Sequence, residues 1–184
     1  MDVKEAILKR RAYRSLKEVG IDEKLIRDLA ECASLAPSCF NNQPWRFVFV
    51  YDKEMKEKLH TALAKGNEWA YSSSMIIAVF SKKELDCQIK GRDYYLFDTG
   101  MAVAFLMLRA TELGLVAHPI AGYDEEKVKE ILNIPKDMQV ITLIIVGEKS
   151  EEINKTLTEK QIEFETKRPE RLSLEKFVYF NIYK

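Results

Sequence analysis

Cysteine is scarce in this chain. Cys32, Cys39 and Cys87 are odd in number and show no CxxC spacing. That pattern implies neither a disulfide framework nor a zinc site, and a reducing cytoplasm is the simplest compartment. Histidine is scarcer still: His60 and His118 are too few and too far apart to suggest a metal centre. There is no excess of either charge, with 29 Lys plus Arg against 29 Asp plus Glu. The chain as a whole therefore does not attract polyanions, which excludes general nucleic-acid binding and leaves any anion site to local clustering. No apolar run reaches the ~18 residues of a membrane span, and the opening MDVKEAILKRR lacks the apolar stretch of a secretory leader. No GxGxxG, P-loop, HExxH or GxSxG pattern occurs, so the common nucleotide and hydrolase signatures are absent.

What is present describes a globular protein. At 184 residues, with 47% apolar and 32% charged side chains, the chain can build a sizeable core without staples. A chain of this size buries roughly 70% of its unfolded surface. Without repeats, low-complexity stretches or Gly/Ser linkers, residues 1–184 read as one domain, with a charged extension from about residue 150.

The periodicities predict a short helix over 2–11, and a second helix capped by Asp22 that carries Leu25, Ile26, Leu29, Ala30, Ala33 and Ala36 until Pro37 ends it. They predict a strand at Phe47–Tyr51, a helix from Asp52 to about Lys65, and a strand at Met75–Phe80 that is apolar on both faces. A long helix from Leu96 runs to Gly114, and its wholly apolar stretch Met101–Leu108 leaves no face for water. Such a helix must be buried all round, in part by a second subunit. A strand at Leu115–Ile120, a helix at Asp124–Leu132 and a strand at Val140–Gly147 follow. Beyond the charged stretch, Phe177–Phe180 is apolar and β-prone, and needs a sheet to join, its own or a partner's.

Three segments could carry chemistry. In Lys9–Arg14, Arg10, Arg11 and Arg14 offer planar forks of donors that match a phosphate monoester, although basic residues at a helix C-terminus also complement its dipole. In Ala36–Trp45, small and amide side chains between two prolines could meet a heterocycle edge or a sugar chain, or simply form a turn. In His118–Asp124, a strand turns on Ala121-Gly122 into a capped helix, so backbone N–H groups could face an electron-rich atom while Pro119 and Ile120 cover a planar ring. A plain strand–turn–helix is the commoner form of that motif. His118 suits a packed histidine better than a general base, Asp98 a structural hydrogen-bonding group, and Cys39 a thiol of open role.

Taken in order, these pieces resemble the nitroreductase family of flavoproteins. The resemblance runs through LKRRAYR near residue 10, APSCFNNQPWRFVFV at 36–50, TELGL at 111–115, HPIAGYDEEKVKEIL at 118–132 and RLSLEKFV at 171–178. It implies an α+β fold, a mixed and mainly antiparallel sheet flanked by helices, with the C-terminal extension exchanged in a homodimer. It implies FMN as cofactor and NADH or NADPH as electron donor. Arg10, Arg11, Ala12 and Arg14 would meet the phosphate and ribityl chain, helped by Arg171 or its neighbour Arg168. Pro37, Ser38, Cys39 and Asn41 would approach from the other subunit. Pro119, Ile120, Ala121 and Gly122 would line the isoalloxazine. Ala12 and Ala121 depart from the serine, and from the glycine or acidic residue, common at those places. The implied activity is ping-pong electron transfer from NAD(P)H to a nitroaromatic, quinone or similar small acceptor, with no catalytic side chain. Alternatives are a reductive dehalogenase or flavin-consuming relative, or a non-catalytic flavin-binding or structural dimer.

Overall fold

The computed structural model describes residues 1–183. In chain order the main elements are α1 (Val3–Lys9), β1 (Leu16–Lys17), α2 (Glu23–Ser34), β2 (Arg46–Val50), α3 (Lys53–His60), β3 (Met75–Ser81), β4 (Gln88–Ile89), β5 (Arg92–Asp93), α4 (Tyr95–Glu112), β6 (Leu115–Ile120), α5 (Glu125–Leu132), β7 (Gln139–Lys149) and α6 (Glu159–Thr166).

Four helices start on an aspartate whose carboxylate accepts from a backbone N–H three residues on: Asp2 for α1, Asp22 for α2, Asp52 for α3 and Asp124 for α5. A Thr158–Gln161 capping box opens α6. The left-handed Gly114 (φ 80°) stops α4 where the sequence predicts. The first and third helices are shorter than expected, ending at Lys9 and His60 rather than at residue 11 and Lys65.

The sheet is antiparallel at every pairing among the described residues. Its long strand β7 pairs with β3 (Met75↔Val146 to Ser81↔Gln139), with β6 (Leu115↔Glu148 to Ile120↔Leu143) and with the two-residue β1. Strand β2 pairs with the far side of β3. Because β6 pairs only with β7, Pro119 removes no needed donor. The period of two in β3 sorts its side chains between two cores. Ile76, Ala78 and Phe80 join Leu59, Trp69 and Val128 under α3 and α5, while Met75, Ile77 and Val79 join Leu29, Ala33 and Leu106 under α2 and α4. Helices therefore cover both faces.

Two expectations are met only in part within one chain. Helix α4 is not buried all round by its own subunit: Ala104 and Phe105 in its apolar stretch are exposed, and Phe97 is 64% exposed. The helix packs on the sheet, on α2 and on α1, and its remaining face is left uncovered among the described residues. Residues Phe177–Phe180 form no strand, and Phe180 is 84% exposed. A strand needs a neighbour for its backbone groups, and none among the described residues pairs with that segment.

Candidate functional site: an arginine pocket beside the 118–122 turn

The end of α1 and the following turn present Arg10, Arg11, Ala12 and Arg14 to a pocket of about 160 Å³, closed on its other side by Phe164, Arg168, Pro169 and Arg171. The backbone there is held by Glu165, a buried carboxylate on the last turn of α6. It accepts from the Arg14 N–H at 2.6 Å and from the Ser15 N–H at 3.0 Å. Glu165 was not legible as a site residue, because nothing in the local sequence says that α6 returns to residue 14.

The arginines differ in what they already hold. Arg11 Nη2 donates to the carbonyls of Phe164 (2.6 Å) and Glu165 (3.4 Å), and its guanidinium lies 4.6 Å from the Tyr13 ring centroid. Arg168 Nη2 donates to the Leu8 and Arg10 carbonyls at 2.5 and 3.0 Å, capping the end of α1. Arg10, Arg14 and Arg171 make no side-chain hydrogen bond or ion pair among the described residues, apart from the Arg14 guanidinium standing 5.8 Å from the Trp69 ring. Burial, with Arg168 and Arg171 beside it, pushes the Arg10 pKa down, and burial does the same to Arg14 against the pull of Glu165. These groups remain cations. Glu165 offsets part of the charge at Arg14, and the crowding of the remaining cations is a cost that an anion would remove.

The third predicted segment meets the first. His118, on β6, places Nδ1 3.0 Å from the Tyr13 carbonyl and stacks on Trp69 at 4.7 Å. Burial, helped by Arg14 and Arg10, drives the His118 pKa down to about 4 against the Tyr13 bond. The ring is therefore neutral near pH 7 and donates Nδ1–H to Tyr13. It is a packed, hydrogen-bonded histidine and not a base poised near neutrality.

The turn after β6 is clamped by its carbonyls. Ile120 accepts from Thr142 Oγ1 at 2.9 Å, and Gly122 accepts from Ala64 N and Asn67 Nδ2 at 3.0 and 2.9 Å. A Cβ at position 122 would stand 2.7 Å from Asn67 Nδ2, so glycine suits this close approach. The N–H groups of Ala121 and Gly122 donate to no acceptor among the described residues, and Ala121 is exposed. Pro119 is half-buried and Ile120 buried beside them.

The second segment is not brought to this pocket. Among the described residues no hydrogen bond joins 36–45 to 10–14 or to 118–122. The loop is tied instead to the start of α4 and to residues 86–87: Cys39 N donates to Asp98 Oδ2 at 2.6 Å, and Asn42 Nδ2 donates to Asp86 Oδ1 at 3.3 Å. Asp98 is the structural acceptor the sequence suggests. The cysteine expectation is overturned: Cys39 and Cys87 form a disulfide with Cα atoms 6.0 Å apart, and only Cys32 is free. Two cysteines 48 residues apart in sequence carry no spacing signal, and only the packing of their loops brings them together. The inference from cysteine spacing to a reducing compartment loses its premise. No helix among the described residues is long and apolar enough to cross a membrane.

Comparison with known proteins bears on the family and the fold. The model of the nitroreductase family matches residues 7–70 and 61–148. A Bacillus subtilis protein with the provisional name NAD(P)H nitroreductase MhqN is 27% identical, over 78% of this chain and 86% of its own. A Thermus thermophilus protein named NADH dehydrogenase is 26% identical, over 83% and 89%. A nitroreductase-type structure from Exiguobacterium sibiricum, solved in complex with FMN, superposes with a TM-score of 0.80 at 24% identity over 98% of both chains. With most of its length matched and its fold shared, the chain belongs to the nitroreductase family.

Proposed function

We propose that this protein is an FMN-dependent oxidoreductase that passes electrons from NADH or NADPH to a nitroaromatic, quinone or similar small acceptor by a ping-pong cycle. The observation that carries the proposal is the cluster of Arg10, Arg14 and Arg171, whose side chains form no ion pair among the described residues, wired through Tyr13 and His118 to a turn with free backbone donors. The donor set fits a flavin mononucleotide. Guanidinium forks suit a dianionic phosphate monoester, and unengaged N–H groups beside an apolar Pro119–Ile120 wall suit the edge and face of a planar ring. Arg171 is the stronger candidate for the phosphate than Arg168, whose Nη2 is already engaged by α1. Arg11 and Ala12 border the same place, Arg11 chiefly as a brace to α6.

Bound FMN would supply the chemistry, accepting a hydride from the nicotinamide and returning electrons to the acceptor. The chain's residues then bind, orient and shield. The amides of Ala121 and Gly122 would polarise the ring edge, and solvent at the open face can supply protons. The names of the two relatives, and the FMN in the Exiguobacterium structure, support the same donor and cofactor. Nicotinamide donors are cytoplasmic metabolites, which supports a cytoplasmic enzyme.

The working form we infer is a homodimer. The open face of α4 and the exposed apolar residues of 172–183 need cover that one chain does not provide. Residues 150–168 hold their own subunit through Asn154, Gln161, Glu165 and Arg168, so the exchanged arm would begin after Arg171. Pairing would bring Pro37, Ser38, Cys39 and Asn41 of the partner subunit to the pocket that the same segment fails to reach in its own chain.

The test is optical. Purified protein is expected to bind FMN one per chain, and its flavin absorption to bleach when NADH or NADPH is added under nitrogen. A flavin that stays oxidised would leave a non-catalytic binder. A chain that takes up no FMN would end the proposal.

A further inference from the structure

We propose that the Cys39–Cys87 pair is a reversible thiol–disulfide exchange site, taking a small dithiol as its reductant, and that its oxidation state sets whether the 38–43 loop is pinned. Both cysteines are half-exposed in the single chain, as exchange with a small thiol requires. The bond ties the loop after α2 to the stretch before β4, 48 positions apart in sequence. Within that loop Phe40, Asn41 and Gln43 stand at φ 47°, 58° and 48°, three non-glycine residues in the left-handed region. Such residues persist where surrounding structure over-determines them. Local hydrogen bonds shape the loop: Asn41 N and Asn42 N donate to the Ser38 and Cys39 carbonyls, Gln43 N to Ser38 Oγ, and Arg46 Nη1 to the Gln43 carbonyl. Among the described residues its ties to the start of α4 and to residues 86–87, besides the disulfide, are Cys39 N to Asp98 and Asn42 Nδ2 to Asp86 and Cys87. Phe40 itself is 88% exposed, so packing does not hold it.

The surroundings of the sulfurs govern how fast exchange can run. Asp86 is buried and places a carboxylate oxygen within 4.8 Å of both sulfurs, where a negative charge slows an approaching thiolate. Burial, together with the Asp86 carboxyl, raises the Asp98 pKa against the pull of the Cys39 N–H. Asn42 Nδ2 lies 3.5 Å from Cys87 Sγ, where it can donate to a departing thiolate.

The exchange balances without further reagents. A thiolate of the dithiol attacks one Sγ, the S–S bond breaks, and the other Sγ leaves as a thiolate that takes up a proton. The second thiol of the reagent then breaks the mixed disulfide. The chain gains two electrons and two protons, and the reagent is oxidised to its own disulfide. The consequence at the cofactor rests on the reading above, because Ser38, Cys39 and Asn41 are there assigned to the flavin of the neighbouring subunit.

The experiment equilibrates the protein in mixtures of reduced and oxidised dithiothreitol, then alkylates it and counts thiols by mass. Backbone amide exchange of residues 38–43 is read in parallel. One thiol per chain, Cys32, is expected in the oxidised form and three in the reduced form, reversibly and with the far-ultraviolet dichroism kept. Amide exchange in the loop should rise at least tenfold on reduction, and Cys87→Ser should show the faster exchange in both conditions. Three thiols persisting in fully oxidised dithiothreitol, or loop exchange indifferent to reduction, would overturn the proposal. FMN release is expected to be several-fold faster from the reduced holoprotein, and equal release would remove the link to the cofactor. If the protein proves to bind no FMN, the flavin reading fails on its own, while the thiol count and loop exchange still decide the switch.

Discussion

Residues 10–14 and residues 36–45 are both short, polar and unremarkable in composition, yet the chain treats them in opposite ways. The first is braced from every side within its own subunit: by Glu165 at the Arg14 and Ser15 amides, by Arg168 at the Leu8 and Arg10 carbonyls, and by His118 at the Tyr13 carbonyl. The second is tied to Asp98, Asp86 and Cys87, away from the arginines. On the proposed reading, one half of the flavin site is preorganised by intrachain contacts, and the other half is held on a different surface. Both belong to one cleft only if two copies meet, and this contrast yields several measurable differences.

The largest effect is expected from replacing Arg10 and Arg14 together with alanine. Each charge-assisted contact contributes roughly 1.5–3 kcal/mol, so FMN affinity should fall by at least ~100-fold in a fluorescence titration. Unchanged affinity would show that the phosphate lies elsewhere. Next comes Glu165→Gln. An amide offers one oxygen where the carboxylate offers two, leaving a buried N–H of residue 14 or 15 unpaired, and denaturant unfolding should show a loss of about 2–4 kcal/mol. Fully retained stability would mean that α6 does not brace the arginine turn.

His118 gives the pH dependence. Its pKa is about 4 in the folded chain against an ordinary value of 6.5. The unfolded state therefore binds more protons between these values, and the histidine's contribution is complete above pH 6.5 and lost as the pH falls toward 4. The loss is at most about 3.5 kcal/mol, since each pKa unit corresponds to about 1.4 kcal/mol. Unfolding curves at pH 4.5 and 7 should converge when wild type is compared with His118→Gln, and parallel curves would contradict the burial argument. The smallest effect belongs to Arg11→Ala, which removes one short and one long backbone contact and one ring contact. About 1 kcal/mol of stability should go, with a smaller change in FMN affinity than at Arg10. An equal or larger change in affinity would place Arg11 on the phosphate.

Most of the secondary structure was legible because it follows from local rules. Aspartate caps, Pro37, Gly114 and the two-sided apolar run of β3 announce themselves within a few residues. Of the candidate site, the arginine run and the 118–122 turn were readable as unspecific pieces. Their union through Tyr13 and His118 was not, because a hydrogen bond spanning 105 positions has no local signal. Glu165 and Cys87 were missed for the same reason. The exposed face of α4 came out partly as expected: the apolar run foretold a need for cover, but not which side the chain would leave bare.

What the sequence determined by itself is therefore what backbone propensity and residue chemistry decide at short range: where helices begin and stop, which strand is buried on both faces, and which side chains could bind an anion. The tertiary structure alone decided which arginines are already engaged, which cysteines meet, and that residues 36–45 face away from the pocket of their own chain. Those outcomes depend on distances between segments far apart in sequence, and such distances are set only when the sheet and its helical layers pack into one register.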